Sequence, residues 1–372
     1  MTNDPEETAR GLGKLDYADY LEMIGDPKTP DERILDYSLI ERGASGFEFV
    51  LRPDPEKVEM TELQEELESA MAIGNAAARF RRHRETRARI QNGDERPFLV
   101  SEGDSWFQFP ILIKEVIDHL RPHYTIASFG AAGDTAQNMV FGPPRRGGAE
   151  FLTELWRHRS RVQAFLFSAA GNDIIGEDLA TGDAVPALRK LLRAPVGADP
   201  DVRDVVDMEE LERRLGSLRH AYRSVIANVR GLDSADRPSH LPPFSKLPIV
   251  IHGYDYPFPY PTTPEVGGAP EWRDPRYAKQ DQWLGSAFSH HGIDDARLRR
   301  EVIVFLLDRL YDMLSGLAGD ASETGIWLVD CRGALPRVTD WNDEIHGTSD
   351  GFQSIAARFH DVLNNAIAPQ VR

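Results

Sequence analysis

The sequence predicts an α/β fold, a mostly parallel sheet covered by helices on both faces, with a mainly helical extension in front of it. Three observations lead there. Short runs rich in Val, Ile, Leu and Phe recur from residue 97 onward, and they are continuous rather than alternating, as strands buried on both faces are. Helical stretches separate them, notably 207–230 and 296–317, the order that builds a parallel sheet. Four of the runs end on small polar residues, "EGDS", "AAGD", "AAGND" and "HGYD", and ligands of such sheets bind outside the strands' carboxyl ends.

In chain order, residues 1 to about 60 are polar and carry Pro at 5, 27, 30, 53 and 55. Short helices fit "DYADYLEMI" and "PDERILDYSLIE", and "GFEFVLRP" fits a strand. Residues 58–91 are expected to form one long helix, acidic in its first half and ending in "RFRRHRETRAR". That basic half could hold an acidic partner or RNA, but acid-first, base-last order suits a solvated helix and its dipole better. "NGDERP" supplies turn residues at 92–97, and a boundary is placed there: 1–96 as the extension, 97–372 as the main domain. Strands are then expected in "RPFLVSEGDSW", "HYTIASFGAAG", "RVQAFLFSAAGND", "LPIVIHGYDYP" and "TGIWLVDCRG", with a helix in "FPILIKEVIDHLRP".

Composition excludes several classes. Forty-three Lys and Arg against 60 Asp and Glu give a formal charge of -17, which opposes nucleic-acid binding, a process that needs cations to displace phosphate counterions. It also opposes docking on an anionic membrane. The single cysteine, Cys331, excludes an internal disulfide and a multi-cysteine metal site. The acidic N-terminus has no signal-peptide core and no apolar run is long enough to span a bilayer, so a cytoplasmic protein is expected.

Ser105, just past the first strand, raises the question of a nucleophile. Such a serine needs a base, an acid to orient the base, and donors for an oxyanion. The Gly-x-Ser-x-Gly elbow is absent, since Trp106 and Phe107 follow Ser105. Gly133 follows the second strand, and without a Cβ its N–H can approach an oxyanion. Asn172 follows the third and has a side-chain amide to donate. Near the C-terminus, Asp343 and His346 are three apart, a spacing that would put both on one side of a helical turn.

Taken together, Gly103-Asp104-Ser105, Gly133-Asp134-Thr135, Gly171-Asn172-Asp173 and Asp343-x-x-His346 resemble, in order, the blocks of the SGNH hydrolases, also called the GDSL esterase/lipase superfamily. The resemblance covers about 97–365 and says nothing of 1–96. It implies a three-layer α/β/α sandwich, flavodoxin-like, with about five parallel strands. Ser105 would be the nucleophile of a carboxylic-ester hydrolase, His346 the base and Asp343 its orienter. Gly133, Asn172 and the Ser105 N–H would form the oxyanion hole, with no metal or organic cofactor. Trp106 stands where the family name has Leu, and Gly347 follows His346 where Pro is frequent.

Two inserts are expected, 176–247 packing outside the core and 254–291 at the active-site edge. The second is rich in aromatics and prolines, and Tyr256, Phe258, Tyr260, Trp272 and Trp283 could wall an acyl or aromatic pocket. Asp104, Trp106, His252, Tyr254 and Asp255 complete the expected pocket. His290-His291, His252 and Asp255 could bind a metal only if adjacent histidines converged, which most backbones prevent. Acyl transfer, carbohydrate deacetylation, and a non-catalytic binding protein with 1–96 as a partner module are the other readings. A homo-oligomer through the long helix fits any of them.

Overall fold

The structure is a computed structural model and describes residues 14–26, 28–42, 49–60, 73–109, 113–131, 133–141, 150–174, 187–197, 199–232, 243–262 and 284–367. Five strands form one sheet: β1 (Phe98–Gly103), β2 (Thr125–Ser128), β3 (Val162–Ser168), β4 (Ile249–His252) and β5 (Ile326–Val329). All pairings are parallel and the spatial order is β2-β1-β3-β4-β5. The register sets Ser101 opposite Ser128, Gly103 opposite Ser168 and His252 opposite Val329. Every residue of β1, β2 and β4 is buried, so helices cover both faces and the α/β expectation holds. The chain leaves β1 toward β2 on one side and returns to β3 on the other. This reversal opens a crevice past the ends of β1 and β3, the place where such sheets bind ligands.

Three long helices, α2 (Met208–Arg230), α3 (Ala296–Ala318) and α4 (Ser349–Ile367), supply most of the covering layers. The insert at 176–247 does not lie outside the core. Leu211, Leu215, Leu218, Tyr222, Val225 and Val229 of α2 are buried in the same hydrophobic cluster as the strands. Their three- and four-residue spacing is a core-facing stripe, and each side chain buried there contributes roughly 1.5–3 kcal/mol. The helix expected after Ser105 is also shorter: residues 113–115 are not helical, and the helix runs Val116–Leu120 with Glu115 as its N-cap, accepting from the Ile117 N–H.

The extension holds helices at Tyr17–Gly25 and Asp31–Asp36, and also two short strand pairings. Residues 15–16 pair with 58–59, and 38–42 with 49–53. A small separate cluster of Tyr20, Ile24, Ile34 and Val58 holds part of this together. Helix α1 (Ile73–Gln91) follows. Thus residues 58–59 are strand, not the start of a long helix; 61–72 lie outside the described residues.

Helix α1 is not a solvated helix. It covers the open edge of β2, where alternate carbonyls would otherwise face water. Thr86 Oγ1 donates to the Ile126 carbonyl at 2.7 Å, the His83 imidazole to Ser128 at 2.9 Å, and Arg89 to Tyr124 at 3.4 Å. Arg81 reaches Asp31 and the Thr29 carbonyl. Arg82 is buried and binds Glu115, Asp118 and the Phe107 carbonyl. These arginines of the basic run are spent inside the molecule.

Candidate active site

The strand β1 ends on Gly103 because nothing larger fits: a Cβ there would stand 2.7 Å from Cβ of Ser168. The chain then turns tightly. Phe107 and Gln108 N–H groups donate to the Asp104 carbonyl at 3.0 and 2.9 Å, and the Trp106 N–H donates to Asp104 Oδ1 at 3.1 Å. Ser105 sits on this turn, only 6% exposed. Its N–H has no acceptor among the described residues.

The segment carrying Asp343 and His346 is a loop, not the helical turn expected. Asp343 Oδ1 accepts the N–H groups of Ile345 and His346 at 2.9 and 2.8 Å. This side-chain-to-backbone bonding folds the loop without a helix. The same carboxylate meets His346 Nδ1, at 2.9 Å from Oδ2. His346 Nε2 lies 2.9 Å from Ser105 Oγ. Hydroxyl, imidazole and carboxylate therefore form one unbroken chain across 241 residues of sequence. Burial alone would raise Asp343, but the His346 imidazole and the two backbone N–H groups hold it below the usual carboxylate range. Trp106 Nε1 donates to the Ile345 carbonyl at 3.1 Å, which fastens this loop directly to the serine turn.

Past β3, Ala170 adopts a positive φ of 96°, a strained state for a residue with a Cβ. It swings the chain so that Asn172 follows. Asn172 Nδ2 donates to the Asp134 carbonyl at 2.8 Å, tying the loop after β3 to the loop after β2. Asp173 accepts the Ala136 N–H at 2.9 Å, and burial pushes its carboxyl up to about 6. Gly133 has φ 87°, and its N–H has no acceptor among the described residues.

A cavity of about 40 Å³ opens beside Ser105. Asn172, Tyr254 and Asp255 border it, and Ile303, Leu306, Leu307 and Leu310 of α3 with Ile345 make much of its wall apolar. Asp104 and Trp106 also line it, as expected. His252 does not: it is fully buried behind the serine turn, with Trp106 and Phe107 rings beside it. Tyr256 does not either, because its hydroxyl turns to donate to Asp308 Oδ1 at 2.6 Å. Asp255 spends its carboxylate on the N–H groups of Tyr256, Gly333 and Leu335. Phe258 packs under the Arg300 guanidinium, and Tyr260 gives its carbonyl to Arg299. Trp272 and Trp283 lie outside the described residues. Gly133 is not among the residues that border the cavity.

Sequence reasoning missed the leucines of α3 and it missed Glu344. The latter is buried beside Asp343 and accepts the N–H groups of Leu284 and Gly285, each at 3.0 Å, and that of Tyr260. It thereby ties the aromatic loop to the His346 loop. Its neighbours Asn342, Asp343 and His346 are polar, so nothing in the sequence set it apart. No group of three or more metal-ligating side chains exists among the described residues. No helix among them is long and apolar enough to cross a membrane.

No family model and no curated protein matches the sequence. Similar solved structures include a GDSL-like lipase from Bacteroides ovatus, 10% identical over 73% of this chain and 54% of that one, at a TM-score of 0.38. The chain thus spans about half of that protein's length. An aryl esterase from M. smegmatis is 14% identical over 71% and 99% of the two chains, at 0.38. Est24, a carbohydrate acetylesterase from Sinorhizobium meliloti, is 12% identical over 74% and 100%, at 0.37. Likeness at this level does not assign a chemistry.

Proposed function

We propose that this chain is a serine hydrolase of the SGNH type that cleaves carboxylic esters with small acyl groups. One observation carries the reading: the continuous Ser105–His346–Asp343 hydrogen-bond chain at the mouth of a partly apolar cavity. His346 takes the Ser105 proton as Oγ attacks the ester carbonyl. Asp343 holds the ring with Nε2 toward the serine and stabilises the imidazolium that forms. The leaving alkoxide receives that proton, and water, activated by the same imidazole, releases the acyl group.

Three donors are proposed for the oxyanion. The Ser105 N–H and the Gly133 N–H are both unspent among the described residues, and the Asn172 amide has a second hydrogen beyond the one given to Asp134. Gly133 is included for its left-handed backbone and its place after β2. Residues 97–372 are proposed as the catalytic unit, with α1 as the cover of its sheet edge.

The acyl group is assigned to the cavity beside α3. Its leucine and isoleucine wall offers nothing to a sugar's hydroxyls, and about 40 Å³ admits a group of only a few heavy atoms. A series of p-nitrophenyl esters from acetate to palmitate, run beside acetylated sugars and with Ser105→Ala as control, tests the reading. Short acyl esters should turn over fastest, and Ser105→Ala should abolish turnover. Equal rates in the Ser105→Ala protein would contradict the proposed nucleophile; a preference for palmitate would contradict the proposed acyl site.

A further inference from the structure

Behind Ser105 lies a second row of buried polar groups that the proposed reaction does not use. His252 Nδ1 faces the Gly253 carbonyl oxygen at 2.6 Å, and its Nε2 faces Ser168 Oγ at 2.8 Å. Ser168 Oγ is in turn 2.8 Å from Asp104 Oδ1. Asp104 Oδ2 meets the Tyr254 hydroxyl, which also accepts the Gly171 N–H at 2.9 Å. Asp104 is 1% exposed, and Ser168 and His252 are not exposed at all.

The protons along this row can be counted. Four contacts run from the Gly253 carbonyl through imidazole, serine and carboxyl to phenol, and each needs one hydrogen. The two ends are fixed, since the Gly253 oxygen can only accept and the Gly171 N–H can only donate. A neutral imidazole, a serine and a tyrosine bring three hydrogens, and an ionised carboxylate brings none. The fourth must be an extra proton, carried either by His252 as imidazolium or by Asp104 as carboxylic acid.

The surroundings decide between them. An imidazolium and a carboxylate separated by one serine hydroxyl would both lose their hydration, which their attraction repays only in excellent geometry. Among the described residues, the titratable groups that act on Asp104 or feel it are Tyr254, Tyr222, Asp173 and His346. Of these, the Tyr254 hydroxyl and His346 favour the charged carboxylate, and burial outweighs both. The hydroxyl can also donate to the carbonyl oxygen of a neutral acid, and the His346 ring is already paired with Asp343. Cys331 Sγ, 3.9 Å from His252 Nδ1, turns toward the Val329 carbonyl and brings no charge.

We infer that Asp104 is a neutral carboxylic acid that donates to Ser168, which donates to the Nε2 of a neutral His252. Burial acts the same way on both ends, raising Asp104 and lowering His252 to about 4. Asp104 is then a positioning residue: it accepts the Trp106 N–H at 3.1 Å and so shapes the serine turn. It does this without placing a negative charge beside the oxyanion. The benefit to the oxyanion rests on the proposed function; the protonation state does not.

Nitrogen-15 NMR of the histidines in the Ser105→Ala protein, between about pH 6 and 8, reads the state without any turnover. His252 should be a neutral ring with its hydrogen on Nδ1 throughout, and infrared spectra should show a protonated carboxyl band at neutral pH that Asp104→Asn removes. An imidazolium at His252, a hydrogen on its Nε2, or the absence of that band overturns the inference. In the active protein, Asp104→Asn keeps a donor for Ser168 and an acceptor for Tyr254, but its NH2 takes the place of Oδ1, the atom that accepts the Trp106 N–H, so kcat should fall while His252 stays a neutral ring. If no ester is turned over at all, the proposed function fails while the NMR and infrared results stand on their own.

Discussion

Arg82, on a helix that precedes the sheet in sequence, donates to the Phe107 carbonyl at 2.9 Å, two residues beyond Ser105. The same guanidinium holds Glu115 and Asp118. The serine turn is therefore braced from outside the sheet by the segment before it. Arg82→Met should cost about 3–5 kcal/mol, because it leaves Glu115 buried without its partner. Urea unfolding of Arg82→Met and of Arg82→Met/Glu115→Gln checks this. The double variant should recover part of the loss, and an unchanged midpoint in the single variant would refute the brace.

The edge of β2 gives a second expectation. Thr86 is buried and its hydroxyl satisfies the Ile126 carbonyl. Thr86→Val keeps the shape and strands that carbonyl, at about 1–3 kcal/mol. Denaturant midpoints should fall accordingly while kcat for a short ester is unchanged.

Asn172→Ala removes one proposed oxyanion donor and also the link to Asp134. Turnover should fall by roughly 10²–10³. Steady-state kinetics should show most of the loss in kcat rather than KM, since an oxyanion donor acts on the transition state.

Asp173 gives a pH dependence. Its folded carboxyl is raised to about 6, first by burial, above the value of about 4 for an unfolded aspartate. Between these values the folded state binds more protons than the unfolded one, so stability falls as pH rises from about 4 to 6. The cost, about 3 kcal/mol, is complete above pH 6. Asp173→Asn should therefore be more stable than the native chain near pH 7.5 and gain little near pH 4. A pH-independent difference in unfolding free energy would contradict it.

The parallel sheet was legible because buried strands such as "QAFLFS" and "PIVIH" leave continuous apolar runs. Ser105 and Asn172 were legible because small polar residues end those runs. The role of α1 was not: an arginine-rich helix looks solvated until its partners, Glu115, Asp118 and the β2 carbonyls, are seen in space. Helix α2 was misplaced although Leu211, Leu215, Leu218 and Tyr222 carry a core-facing stripe. Pocket residues were the least legible. Whether Tyr256 faces a cavity or Asp308 depends on a loop path that neither periodicity nor composition encodes.

The nucleophile can be tested directly by treating the native chain with a fluorophosphonate and locating the adduct by mass spectrometry. Modification at Ser105, lost in Ser105→Ala and strongly slowed in His346→Ala, is the predicted result. Modification elsewhere, or at Ser105 with undiminished speed in His346→Ala, would contradict the proposed partnership of hydroxyl and imidazole.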